Sequence, residues 1–109
     1  MQNKEYYELI ERDNTNPKDN ERRALFTILS ENEELYSKID SLYDFENHWI
    51  NDDCFEKIDF SNGTRKLVQL AFNLYNNNPS PTPLEIFSSL DSDNYDLAMK
   101  AINIRFNKI

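Results

Sequence analysis

The side chains best able to do chemistry crowd into one short stretch. His48-Trp49-Ile50-Asn51-Asp52-Asp53-Cys54 contains the chain's single histidine, single tryptophan and single cysteine. Imidazole, carboxylate and thiolate all bind zinc, and a histidine can activate a cysteine as a nucleophile. The spacing argues against both. A zinc site needs three or four converging ligands, and neither HExxH nor CxxC occurs. A catalytic His–Cys pair usually joins distant parts of a chain, whereas His48 and Cys54 are close neighbours in sequence. The plainer expectation is a hydrophobic plug. Trp49, Ile50 and Phe55 seal a bundle, Cys54 packs as a small apolar side chain, and His48 flanks them. A small metal-dependent or cysteine enzyme centred on His48 and Cys54 is the less favoured alternative. No cofactor or catalytic residue is expected.

Other constellations fall away on similar grounds. Asp52-Asp53 and Glu33-Glu34 are adjacent, so on a helix they point about 100° apart, and a glycosidase needs two carboxyls facing one cleft. Asp91-Ser92-Asp93 begins like a calcium loop. However, Asp96 stands where the turn glycine belongs, and Ile102 where a bidentate Glu is required. One glycine, Gly63, cannot build a phosphate cradle. Arg22-Arg23 and Arg65-Lys66 read as ion-pair partners for the acids, each pair worth roughly 0–1 kcal/mol if exposed.

Charge is more informative than any motif. The chain of 109 residues has a net charge of -8. Residues 1–30 carry five basic and six acidic side chains, residues 31–60 two and ten, and residues 61–109 five and four. The middle third therefore holds the acidity, including Glu33, Glu34, Asp40, Asp44, Glu46, Asp52 and Asp53. A direct nucleic-acid binder shows a basic stripe instead.

The elements that must position these groups are helical. Seven Phe, six Tyr and one Trp supply a core, while one Gly and four Pro are too few for the many turns of an all-β fold. Tyr6, Leu9 and Ile10 mark a helix over 3–12. Pro17 opens a second helix, running to about Ser30 with Leu25, Phe26, Ile28 and Leu29. Ser30 caps a third, whose inner face is Leu35, Ile39, Leu42 and Tyr43. Residues 45–60 read as a loop and a short helix. Ser61 or Asn62 starts TRKLVQLAFNLYN, apolar nearly all round and so central. Thr82, Pro83 and Glu85 form a capping box, and Asp91 or Asp93 starts a last helix with Leu97, Ala98, Ala101, Ile102, Arg105 and Phe106 on one side. The expectation is an all-α fold: a compact bundle of five or six helices forming a single domain over 1–109.

SNGTRKLVQLAFNLYN and LDSDNYDLAMKAINIRF, with the preceding His48-Trp49-Ile50 and Phe55-Glu56-Lys57-Ile58, resemble a small uncharacterised helical family of bacteria and their phages, over about residues 43–107. The resemblance implies a helical fold and a bacterial or phage cytoplasmic setting, and it brings no catalytic residue. The N-terminus lacks the apolar run of a secretory signal, and no stretch approaches the ~20 apolar residues of a membrane span.

The leading functional expectation is a non-enzymatic protein-binding domain. Its acidic, aromatic-studded surface, residues 31–60, would engage a basic protein through Glu33, Glu34, Asp40, Asp44, Glu46, Asp52 and Asp53. In a phage or mobile element such a domain could act as an inhibitor or nucleic-acid mimic. A self-associating helical oligomer, with Tyr6, Tyr7, Trp49 or Phe106 exposed, is the second reading. Direct nucleic-acid or membrane binding is not expected.

Overall fold

Seven consecutive residues, Ala24 to Ser30, are buried without a break. A helix covered on every side must stand in the middle of its fold, and helix α2 (Asn20–Glu31) does so. The computed structural model describes residues 2–108. Helices α1 (Lys4–Asp13), α3 (Glu33–Ser37), α6 (Asn62–Asn76) and α8 (Ser92–Arg105) all pack against α2. The remaining elements are short: α4 (Ile39–Leu42), β1 (Tyr43–Asp44), β2 (Trp49–Ile50), α5 (Cys54–Lys57) and α7 (Pro83–Ser88). The chain is mostly helical, yet two corrections to the five- or six-helix bundle follow. The described residues form eight helices, four of them no longer than six residues, and a small antiparallel β-hairpin interrupts them.

Local chemistry explains where the helices begin. Asn3 caps α1 by accepting from the Tyr6 amide, and Asn14 ends it in the left-handed region at φ 55°. Pro17 does not open α2. It lies in the preceding loop, and Asp19 caps the helix instead by accepting from the Arg22 amide. Ser30 is not a cap either. It lies buried inside α2, and Asn32 caps α3 through the Leu35 amide. The helix expected to continue to Tyr43 breaks at Lys38, whose φ −111° and ψ 18° leave the helical region. Its inner face nevertheless survives the break, because Leu35, Ile39, Leu42 and Tyr43 are all buried.

The second half starts its helices where the sequence signals place them, but α6, expected at the centre of the bundle, instead flanks α2. Ser61 precedes α6, the Thr82 hydroxyl accepts from the Glu85 amide, and Asp91 caps α8. Gly63 is needed for close approach, since a Cβ there would stand 2.9 Å from the Ser89 carbonyl oxygen. Among the described residues no helix is long and apolar enough to cross a membrane.

Candidate functional site

The stretch that opened the sequence analysis folds as a hairpin against the ends of α1 and α2. Tyr43 pairs with Ile50, and Asp44 with Trp49. Side chains alternate across a strand. Tyr43 and Ile50 turn inward and are buried, so Asp44 and Trp49 turn outward. Asp44 builds the turn, as its Oδ1 accepts from the Glu46 and Asn47 amides and its Oδ2 from the Asn47 side chain. The bonds from Asn47, side chain first, hold the Asp44 carboxyl below the usual range. His48 closes the turn at φ 58°, in the left-handed region that non-glycine residues seldom enter.

A polar network beneath the hairpin holds that conformation. Its hub is Asp13, whose side chain is 2% exposed. Tyr43 donates to Asp13 Oδ1 at 3.0 Å, His48 Nδ1 lies 2.7 Å from the same oxygen, and Thr15 donates to Oδ2 at 2.9 Å. The Arg22 guanidinium ties the parts together. Nε donates to the Tyr43 hydroxyl, one terminal nitrogen to Asp19 and the other to the His48 carbonyl oxygen. Burial opposes the Arg22 charge, and the hydrogen bonds to Tyr43 and Asp19 outweigh it. Burial likewise raises the Tyr43 phenol well above its ordinary value, keeping it a donor.

A carboxylate can only accept, so the His48 proton facing Asp13 sits on Nδ1 and Nε2 of the neutral ring keeps its lone pair. The imidazole is half exposed. Cys54 does not suit the role of its nucleophile. The thiol is 1% exposed, and burial pushes it up to about 12. Among the described residues, no three His, Cys, Asp or Glu side chains are grouped closely enough to hold a metal ion. The plug reading holds for Ile50 and Cys54, and half-buried Phe55 packs on the core. It fails for Trp49, which is 50% exposed and rests edge-on against Tyr75.

Tyr75 adds a second peculiarity. It is almost fully buried, its ring lies under the Arg22 guanidinium, and its hydroxyl has no partner among the described residues. A buried hydroxyl without a partner costs about 1–3 kcal/mol. Tyr75→Phe should therefore leave stability unchanged or raise it by up to about 1 kcal/mol in urea denaturation. A loss larger than about 1 kcal/mol would mean that the hydroxyl is bridged by ordered water.

The seven acidic residues divide among several places. Asp44 and Glu46 lie on the hairpin, with Asp52 exposed just after it. Asp40 and Asp53 share a hollow of about 330 Å³ between α4 and α5. Glu33 lines a separate hollow with Glu5, Glu31 and Tyr36. Arg12 pairs with Asp40, Lys38 with Glu34, and Lys57 with Asp53. Sequence reasoning missed Asp13, Arg22 and Tyr43 as a unit. The Asp13-Asn14-Thr15-Asn16 run reads as a helix stop, and nothing local couples it to residues 30 and 35 positions away. No curated protein and no solved structure matches the chain. One family does, over residues 1–109, well beyond the span of 43–107 that the sequence patterns suggested: the chain belongs to the family of unknown function DUF6075.

Proposed function

We propose that this domain is a non-enzymatic protein-binding module that engages a basic partner through the hairpin face. The observation that carries the reading is Trp49. A large indole, half exposed, is presented on a hairpin whose backbone and inner side chains are locked to α1 and α2. Around it, Asp44, Glu46 and Asp52 bring negative charge that no lysine or arginine salt bridge neutralises among the described residues. Preorganised surfaces lose less entropy on binding, and segregated charge steers an oppositely charged partner. The remaining acids contribute field rather than contact. Arg12, Lys38 and Lys57 interrupt them, so a continuous nucleic-acid-like row of carboxylates is not the favoured form of this proposal.

Pulldown from native host lysate at ~50 and ~300 mM salt tests it, because the screening length changes severalfold between them. A basic protein should be recovered at low salt only, and lost with the Glu46→Lys/Asp52→Lys variant. Capture that ignores both salt and charge reversal would overturn the reading. Self-association is the second reading, favoured by the exposure of Tyr7, Leu84 and Phe106 at 57%, 77% and 58%. Tyr6 does not contribute, being buried. Sedimentation showing a monomer across micromolar concentrations would remove this second reading.

A further inference from the structure

We infer that Trp49 and Asp44 form a docking spot for an arginine side chain of the protein partner. The inference rests on the basic-partner reading and names the group by which that partner is held. Residues directly opposite on antiparallel strands place their Cβ atoms about 4.5–5.5 Å apart on one face. Asp44 and Trp49 are such a pair, and theirs is the outward face. The register therefore sets the Cβ atoms of Trp49 and Asp44 side by side, and the Tyr75 ring backs the indole at 5.3 Å. The carboxylate is aimed by three hydrogen bonds from its own turn. Two oxygens offer about four acceptor positions, so one remains for an incoming donor.

A ring of the hairpin turn, Phe45, and a carboxylate of α4, Asp40, already hold one guanidinium between them. The Arg12 Cζ lies 3.9 Å from the centroid of the Phe45 ring while its terminal nitrogen pairs with Asp40. Ring, carboxylate and guanidinium thus make one complete unit next door. None of the chain's own described cations stacks on Trp49, as those that stack on rings use Phe45, Tyr75, Phe60, Phe55 and Phe106. Tryptophan is the best ring for a cation, and arginine its commonest protein partner. A guanidinium can lie flat on the indole and turn its donor edge to Asp44. An ammonium cannot do both equally well.

Because Trp49 is the sole tryptophan, its fluorescence reports the spot directly. The full chain would be titrated with hepta-arginine and with hepta-lysine peptides at ~50 mM salt, with calorimetry as the second readout. The arginine peptide should produce a saturable change in Trp49 emission and bind about fivefold or more tighter than the lysine peptide. By calorimetry, Trp49→Leu should weaken arginine-peptide binding about tenfold and abolish the arginine preference. Asp44→Asn keeps an acceptor for the turn and removes the charge, so it should also weaken binding should Trp49→Leu fail to fold. Equal affinity for both peptides, or undiminished affinity in both variants, would overturn the docking spot while leaving the acidic-face reading standing. No binding of either peptide would overturn both.

Discussion

Asp13→Ala should lower the thermal midpoint by at least about 12 °C, the largest loss expected from any polar substitution in this domain. The reasoning is one of orphaned partners. The carboxylate is nearly sealed from water and receives the Tyr43 hydroxyl, the Thr15 hydroxyl and His48 Nδ1, with Arg22 Nε at 3.5 Å. Alanine would leave these groups facing one another with no acceptor. Breaking a buried charged network from one side costs about 3–5 kcal/mol, and in a domain of this size each kcal/mol shifts the midpoint by roughly 4–8 °C. His48→Ala is the informative companion. Its ring is half exposed, so it loses one hydrogen bond and little burial, and about 1 kcal/mol is expected. Differential scanning calorimetry on both variants separates a hub from a spoke. Equal, small losses would mean that Asp13 is solvated in the native protein and that the network does not bind the hairpin.

Phe26→Ala should cost about 3–5 kcal/mol, the range for removing a fully enclosed ring. Phe26 is 0% exposed, meets Tyr43 edge-on at 5.0 Å and lies nearly parallel to Phe45 at 6.1 Å. Both neighbours belong to the hairpin region, so the cavity opens beneath the proposed contact face. Total stabilities of about 5–15 kcal/mol leave little margin after such a loss. Two measurements check it together. Urea denaturation should show the drop in stability. Amide exchange at Asn51, which donates to the Leu42 carbonyl beside the hairpin, should accelerate more than exchange in α8. Unchanged protection at Asn51 would mean that the hairpin does not depend on the aromatic cluster.

Most helices of this fold are legible in its sequence, because their signals are local. Tyr6 and Leu9 lie one turn apart and share the buried face of α1. Thr82, Pro83 and Glu85 announce α7, and Asp91 announces α8. Three errors also had local causes. Pro17, Ser30 and the apolar face ending at Tyr43 each fit a helical pattern. Asp19, Asn32 and the break at Lys38 overrode them with competing side-chain and backbone choices. The hairpin was hidden because each strand is only two residues long, too short for alternation to show. An Asp-Phe-Glu-Asn turn signal between Tyr43 and Trp49 was the trace it left. The Asp13 network was not legible at all. Its members are ordinary residues one by one, and only tertiary folding brings α1, α2 and β1 close enough to pair them.

The central placement of α2 sets a problem of order for a chain leaving the ribosome. Its apolar girdle is made early, between residues 24 and 30, whereas α6 and α8, which cover it, end at residues 76 and 105. About seventy residues must be synthesised before the last flank arrives, several seconds at roughly 5–20 residues per second. During that interval the nascent chain exposes the apolar residues of α2 that the fold later buries. The negative charge of residues 31–60 follows α2 immediately into solution. Like charges on neighbouring nascent chains repel, so the acidic third can keep those chains apart until α8 closes the core.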